Sequence, residues 1–441
     1  MTRPLTPVHM LLGLTLLLSA APSLDGQQRT RDGDSLQLAP LHREALARDP
    51  RQQQFELLNR RTGLRLDNLA VERLPSIRAE GLGQYQSDVF DAPFSLPGGA
   101  QFPSPSNDSY DARVVVEQAL FNPTISPRQQ LERAALAESE AQLHSALHRL
   151  RAEVNEAFFA AAILDERRAI VLNSLSDLDS RLQEARVRVR EGVTLPGDTA
   201  AIRATQLERQ QDLLEIAADR ASAVARLAEL IGRPVSEQRI VVPDLTAQTA
   251  QARMSAMRIR ARPEYATFAR GRDRLLLQEK VVTAGDRPTL SAFGRAGYGR
   301  PGLNPVSDEF DSYWVAGVQV RWSPFSWGRS SRERQVLAVE RSIVTTEESA
   351  FTSQLTRQVQ SDLAAMDRLD TTLALDTEII GLRERVEQET RLRFQEGVVT
   401  ATEYLDRSTD VLEARLAAAA HRVELAAARA RFLTTLGLEI R

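Results

Sequence analysis

The sequence predicts a mainly α-helical protein made of two similar halves, with four short strands that form a membrane β-barrel part. Three observations predict this fold class. More than forty residues are duplicated without a gap, apolar residues recur at heptad-like spacing over two very long segments, and four segments of about ten residues alternate between apolar and polar.

The duplication is clearest at two turns. Residues Arg186–Val193 and Arg391–Val398 share the pattern Arg-x-Arg-x-x-Glu-Gly-Val and lie 205 residues apart. Gly192 and Gly397 in these copies can adopt the left-handed conformation that ends a helix, after which the chain must turn back. The sequence therefore predicts two helical hairpins built on one plan.

The composition excludes several classes of protein. Of the 441 residues, 26% are charged and 5% are aromatic, and the formal net charge is -3. This balance is typical of long helices, and no cluster of basic residues alternates with aromatics as in a nucleic-acid groove. The chain has no cysteine, which excludes disulfides, thiolate zinc sites and a lipid-modified N-terminal cysteine.

The N-terminus resembles a secretory signal peptide. Residues 1–21 contain Arg3, a short apolar core and small residues suited to cleavage, and the alternative is a buried N-terminal helix. Residues 22–49 read as a flexible lead and a short amphipathic segment. No later run of apolar residues is long enough for a transmembrane helix.

The two halves are predicted to contain the same elements in the same order. The first half, residues 50–232, comprises a helix, strands 76–85 and 110–121, a long helix 127–190 and a return helix 198–231. Residues 233–262, which include two prolines, form a crossover. The second half, residues 263–441, comprises a helix, strands 289–298 and 313–322, a long helix 329–394 and a return helix 403–436.

The strands are predicted from alternation with a period of two. In the last strand Trp314, Ala316, Val318 and Val320 alternate with Gln319 and other residues, so one face is apolar. A soluble sandwich could show the same pattern. Strand lengths near ten residues and aromatics near strand ends favour lipid, and the aromatics predicted at the membrane interface are Tyr85, Tyr298, Trp314 and Trp322.

The long helices are too long for a compact core. Each has some 64 residues, which corresponds to roughly 95 Å at a rise of 1.5 Å per residue. Apolar residues recur in steps of three and four, the pattern of a coiled-coil seam.

No catalytic, metal or cofactor site is expected. His144 and His148 share a helical face, but no third ligand is evident and both are interpreted as solvated surface residues. No glycine-rich phosphate loop or nucleophile motif occurs.

Two acids remain as candidate functional residues. Glu403 and Asp406 lie three residues apart on one helical face, and Asp198 occupies the position of Glu403 in the first half. They are either first-turn acids favoured by the helix dipole or part of a carboxylate ring at a pore mouth.

Taken together, these features resemble the TolC family of outer-membrane efflux proteins. The resemblance covers essentially the whole mature chain and includes the signal, the two helix-strand-strand-helix-helix halves and the R-[FY]-x-x-G turn at Arg393–Gly397. It implies a homotrimer in which each chain gives four strands to a twelve-stranded barrel and helical columns to a long coiled-coil α-barrel.

The resemblance also implies roles for individual residues. Glu403 and Asp406 match acids that line the periplasmic entrance, and Asp198 matches an acid that holds the entrance closed. Phe394 and Val399 stand where the best-known members have tyrosine and arginine, so closure must depend on packing or on other residues. The turns that would meet a periplasmic adaptor contain Gly192, Val193, Gly397 and Val398.

The function implied is that of a passive exit duct in a tripartite efflux or type I secretion system. Its expected partners are a periplasmic adaptor, an inner-membrane transporter and outer-membrane lipid, and its expected place is the outer membrane of a Gram-negative bacterium with an extension into the periplasm. The alternative is a soluble periplasmic coiled-coil scaffold or adaptor, which should have one hairpin flanked by compact β domains. Neither alternative is an enzyme.

Overall fold

A computed structural model of the chain describes residues 35–89, 106–192, 195–235, 238–254, 259–304 and 307–441. The predicted signal peptide, residues 22–34 of the lead, and Val193 lie outside the described residues. None of the described helices contains an apolar stretch long enough to cross a bilayer.

The chain runs twice through the order helix, strand, strand, long helix, shorter helix. It begins with strand β1 (Ser35–Leu36) and helix α1 (Leu38–Arg48). The first half then contains α2 (Gln53–Val71), β2 (Ser76–Tyr85), β3 (Asp108–Phe121), α3 (Ile125–Arg190) and α4 (Pro196–Ile231). After β4 (Arg239–Ile240) and α5 (Thr246–Met254), the second half contains α6 (Pro263–Gly285), β5 (Thr289–Arg300), β6 (Asp311–Arg321), α7 (Arg329–Gln395) and α8 (Ala401–Thr435).

Each return helix begins two residues earlier than the sequence predicted. The predicted first residues were the acids Asp198 and Glu403. Pro196 is the first residue of α4, and the hydroxyl of Thr400 caps α8. Asp198 and Glu403 therefore occupy the third helical position, where a carboxylate faces the free N–H groups of the first turn.

The crossover contains regular structure that its two prolines did not predict. Strand β4 pairs in parallel with β1, with Leu36 opposite Ile240, and both side chains are buried. Helix α5 packs against α8. These short elements tie the start of the described chain to the middle of the helical columns.

The other four strands form one antiparallel sheet in the order β2-β3-β5-β6. Cross-strand pairs such as Val114 with Ala296 and Ala292 with Val318 place the apolar residues of all four strands on one face. Apart from the Asp108–Arg300 ion pair at one end, this face has no charged residue and comprises mainly Ile77, Ala79, Gly81, Gly83, Tyr85, Tyr110, Ala112, Val114, Val116, Leu290, Ala292, Gly294, Ala296, Tyr298, Trp314, Ala316, Val318 and Val320.

The opposite face of the sheet is charged. Arg78 binds Glu117 at 3.1 Å and Arg113 binds Glu80 at 2.8 Å across β2 and β3. Each acid thus has a cross-strand partner, which stabilises the pairing of the two strands. In the described part of the chain, β2 and β6 each pair with only one neighbour, so the sheet has two free edges.

The helices form antiparallel hairpins. Helix α3 has 66 residues, which gives a length of roughly 100 Å, and it packs along α4, α6 and α8. Helix α7 packs along α8 and α6. The main core lies midway along the columns and includes Val154, Phe158, Leu227, Met366 and Phe432, all fully buried.

The interpretation of His148 as a solvated surface residue is wrong. His148 is buried, and its Nε2 lies 3.1 Å from the carbonyl oxygen of Thr434. Burial lowers its pKa, and the nearby charge of Arg262 adds to that effect. His144 is exposed, with its ring centroid 4.9 Å from that of Phe55, so the two histidines have different surroundings.

A buried polar junction lies beside His148. The Nε2 of His42 lies 2.7 Å from the Oδ1 of Asn155, and the Nδ2 of Asn155 donates to the hydroxyl of Thr434 at 2.9 Å. That hydroxyl in turn donates to the carbonyl oxygen of Ala430. The junction thereby joins α1, α3 and α8, and every member has a partner, as burial requires.

Candidate functional site

The turns of the two hairpins lie together at the end of the columns away from the sheet. Gly192 and Gly397 have φ values of 75° and 74°, the left-handed conformation that their identity predicts. Side chains from the first hairpin contact the backbone of the second here. We call this region, which comprises the two turns and the adjoining ends of α3, α4, α7 and α8, the hairpin tip.

Both helix ends at the second turn are capped from the first hairpin. The Nη1 of Arg188 donates to the carbonyl oxygen of Gln395 at 2.9 Å, at the C-terminal end of α7. The backbone N–H of Ala401 donates to the Oδ1 of Asp198 at 3.1 Å, at the N-terminal end of α8. A cation at a helix C-terminus and an anion at a helix N-terminus both have the favourable sign.

Asp198 serves its own helix as well. Its Oδ2 accepts a hydrogen bond from the backbone N–H of Leu195 at 3.3 Å, so one carboxylate caps α4 and α8 together. The sequence predicted that Phe394 and Val399 could not bind Asp198 through polar side chains, so that closure would depend on packing or on other residues. The partner is instead a backbone N–H, a group that every residue except proline carries and that no motif reveals.

Apolar packing also holds the two hairpins together at the tip. The rings of Phe394 and Tyr404 are stacked with their centroids 5.6 Å apart and their planes 7° from parallel. Val399 packs against this cluster, which joins helices of both hairpins and comprises Leu178, Leu182, Ala185, Ile202, Phe394, Ala401, Tyr404 and Leu405. Phe394 thus supplies ring surface where a tyrosine would have supplied a hydroxyl.

Tyr404 and Glu387 are two members of the tip that sequence reasoning missed. Tyr404 is fully buried, and its hydroxyl has no hydrogen-bond partner among the described residues. Burial raises the pKa of Tyr404 to about 12, with further contributions from Asp177 and Glu387, and burial also raises the pKa of Glu387. The position of Tyr404 next to Glu403 was the one signal that could have identified it.

Glu403 and Asp406 are exposed and lie on one side of α8. Neither forms an ion pair with any residue that the structure describes, whereas Arg407 pairs with Asp410 at 2.9 Å. Their charge is therefore available to ions in solution. The arrangement can attract cations but offers only two ligands on one chain.

The turns themselves expose apolar residues. Val398, which follows Gly397, is 69% exposed, and Leu195, which directly precedes α4, is 73% exposed. Exposed apolar side chains at the tip of a rigid hairpin are suited to contact with another protein.

A metal ion at the tip would need several ligand side chains close together. Among the described residues, no group of three or more His, Cys, Asp or Glu side chains lies close enough to bind one.

Aromatic residues occupy both ends of the uncharged sheet face. Tyr85, Tyr298 and Trp314 are exposed near the end of the sheet at which β2 and β5 finish. Trp322 is 59% exposed just beyond the end of β6, near the long helices. Trp314 and Trp322 are eight residues apart, which is about 26 Å along a strand.

Part of the sequence matches a known family. Residues 41–233 match the model of the family described as outer membrane efflux protein, which confirms the resemblance indicated by the sequence motifs. No curated protein sequence matches the chain significantly.

Solved structures share the fold over nearly the whole chain. The outer membrane protein VceC from Vibrio cholerae is 15% identical, with a TM-score of 0.65 over 96% of this chain and 100% of VceC. The outer membrane channel MtrE from Neisseria gonorrhoeae, in its open state, is 19% identical, with a TM-score of 0.63 over 92% and 89%. The outer membrane channel CmeC from Campylobacter jejuni is 12% identical, with a TM-score of 0.63 over 96% and 94%.

Proposed function

We propose that this chain, of which residues 41–233 match the outer membrane efflux protein family, is one of three identical subunits of an outer-membrane exit duct. The observation that carries the proposal is the junction of a sheet that has one uncharged face with helical hairpins about 100 Å long. The sheet suits a bilayer, and the hairpins are long enough to extend far into the periplasm.

The free edges of the sheet support a trimer. A membrane sheet cannot leave the N–H and C=O groups of β2 and β6 unpaired in lipid. Four strands are too few to close a barrel with an open lumen. Three chains joined edge to edge give twelve strands and no free edge.

The two faces of the sheet then have distinct roles. The uncharged face contacts lipid, with Tyr85, Tyr298 and Trp314 at one interface and Trp322 at the other. The face with the Arg78–Glu117 and Arg113–Glu80 pairs lines the lumen, where water solvates the charges.

The hairpin tip forms the periplasmic entrance. Gly192, Val193, Gly397 and Val398 are the residues that meet a periplasmic adaptor, and an inner-membrane transporter supplies the energy. The duct itself is passive and serves efflux or type I secretion. Glu403 and Asp406 attract cations at its mouth.

A conductance measurement tests this function. Purified protein in planar bilayers is expected to form cation-selective channels, and Glu403→Gln with Asp406→Asn is expected to lower the cation-to-anion permeability ratio several-fold, because two charges per subunit are lost at the mouth. The readout is the reversal potential in a salt gradient.

A matched control is available on α2. Glu56→Gln with Asp67→Asn removes the same two charges from exposed positions that form no ion pair with described residues, and the ratio should stay at the wild-type value. Absence of channels would contradict the duct itself, and an unchanged ratio in the tip variant would leave the two acids as residues favoured only by the helix dipole.

A second prediction concerns the caps supplied by Asp198 and Arg188. Each cap is worth about 1 kcal/mol at such a partly exposed helix end. Removing both with Asp198→Ala and Arg188→Gln should let the second hairpin move away from the first, and single-channel conductance should rise several-fold.

The control for this variant is Glu208→Ala with Arg186→Gln. Both control residues are exposed, lie on the same two helices and form no ion pair with described residues, so the charge change is the same. Equal conductance in the two double variants would show that the caps do not hold the entrance.

A further inference from the structure

Aromatic and basic side chains are exposed together at the end of the sheet where the strands adjoin the long helices. We call this set the basic aromatic edge, and its members are Trp322, Phe325, Trp327, Arg287, Arg329 and Arg332. Phe325 is 86% exposed and Trp327 is 92% exposed. Large apolar side chains clustered this openly on a surface mark a contact with a partner.

The aromatic members continue the uncharged face of the sheet. Trp322 follows Trp314, Ala316, Val318 and Val320 at even positions, and its indole Nε1 donates to the carbonyl oxygen of Asp286 at 3.1 Å. Phe325 and Trp327 lie in the link to α7. Trp327 has φ 51°, a conformation that bulky residues rarely adopt.

The basic members have no acid partner within the part of the chain that the structure describes. Arg287, Arg329 and Arg332 are exposed and form no ion pair with any described residue. Asp286, in the adjoining link, is already occupied by the hydroxyl of Ser330 and by Arg334 at 3.3 Å.

The two ends of the sheet differ in charge. Between residues 321 and 334 the sequence has four arginines and one acid, Glu333. At the other end of the sheet, Asp108 and Asp308 both pair with Arg300, at 2.7 and 3.7 Å. A negatively charged partner is therefore favoured at the helical end only.

We propose that the basic aromatic edge binds the headgroups of anionic phospholipids in the membrane leaflet that faces the periplasm. A guanidinium matches the geometry of a phosphate with two parallel hydrogen bonds, and tryptophan and phenylalanine rings are suited to the headgroup level beside it. Arg329 and Arg332 lie three residues apart on one side of α7, so one headgroup can reach both. The inference rests on the proposed function, because it needs the uncharged sheet face to lie in lipid.

Tryptophan quenching by brominated lipids tests the proposal. In a Trp314→Phe background the remaining tryptophans, Trp322 and Trp327, both belong to the edge. The assembled protein is placed in vesicles that contain brominated phosphatidylglycerol or brominated phosphatidylcholine. We expect phosphatidylglycerol to bind more tightly by about fivefold or more, since each arginine near a membrane surface contributes about that factor.

Two variants separate the contributions. Arg329→Gln with Arg332→Gln should reduce the preference for phosphatidylglycerol at least about fivefold and leave only the contribution of Arg287, whereas Arg357→Gln with Arg368→Gln should keep the full preference. The control arginines are exposed on the same helix α7, roughly 40 Å or more away, and form no ion pair with described residues.

The possible outcomes are distinct. Equal quenching by both lipids in the Trp314→Phe protein would overturn the proposal and leave the duct intact. Loss of the trimer in the Arg329/Arg332 variant would overturn it too, by assigning these arginines to a contact between subunits. Quenching by neither lipid would contradict the placement of the sheet in a membrane, and with it the proposed function.

Discussion

Replacing Val318 by Arg is expected to remove most of the assembled protein from the outer membrane, whereas replacing Gln319 by Arg is expected to leave it near the wild-type amount. The two residues are neighbours on β6 but lie on opposite faces of the sheet. The comparison therefore tests which face contacts lipid, independently of any effect on strand propensity.

The expected effect is large because of where Val318 lies. It is 63% exposed on the uncharged face, midway between Trp314 and Trp322, so under the proposed function it faces the centre of the bilayer. An arginine at that depth on a barrel costs about 2–4 kcal/mol, and a trimer contains three copies. An arginine at position 319 would face the lumen and keep its hydration.

The measurement is the amount of trimer in outer-membrane fractions, detected by its slower migration on gels before heating. Total expression in the cell serves as the reference for both variants. Similar trimer yields for Val318→Arg and Gln319→Arg would show that the uncharged face does not contact lipid. A larger loss for Gln319→Arg would reverse the assignment of the two faces.

The alternation that defines this test was visible in the sequence because a strand has a strict period of two. The register confirms the pairing of apolar with apolar residues, as Ala296 with Trp314 and Leu290 with Val320 show. Likewise the positive φ of Gly192 and Gly397 follows from residue identity alone. Features set by local geometry were thus predictable from single segments.

The contacts of the candidate site were less predictable because they join distant segments through backbone groups. Asp198 was identified, but its acceptor role toward the N–H of Ala401, 203 residues further along the chain, depends on how the two hairpins meet. The sequence shows Tyr404 only as a residue of a helix, and its stacking on the ring of Phe394 depends on the tertiary structure. In the same way His148 is buried by α8, which its own heptad pattern could not show.

Acidification from pH 7.5 to pH 5 is expected to destabilise the wild-type protein through His42. Burial lowers the pKa of His42 from 6.5 to about 4, while the hydrogen bond to Asn155 partly opposes the shift. Between these two pKa values the imidazole of His42 is therefore protonated in the unfolded chain and mostly neutral in the folded chain. Stability is complete above pH 6.5 and is lost as the pH falls toward 4.

The magnitude follows from the two pKa values. At pH 5 the free energy of unfolding falls by about 2 kcal/mol per chain. If the His42 junction opens before the transition state for unfolding, the unfolding rate rises up to about thirtyfold. The pKa of His148 is also lowered, so this residue adds in the same direction. Arg151, which pairs with Glu439 at 2.7 Å beside His42, adds to the lowering of the His42 pKa, and the charge of Glu439 opposes it.

His42→Gln separates this effect from general acid denaturation. The amide of glutamine can donate to the Oδ1 of Asn155 in place of the imidazole but does not titrate, so the variant should lose much less stability between pH 7.5 and pH 5. His144→Gln is the matched control, because His144 is exposed and lies outside the junction. The unfolding rate of each purified protein at a fixed temperature is the measurement, and equal pH dependence in all three proteins would mean that the junction does not sense protons.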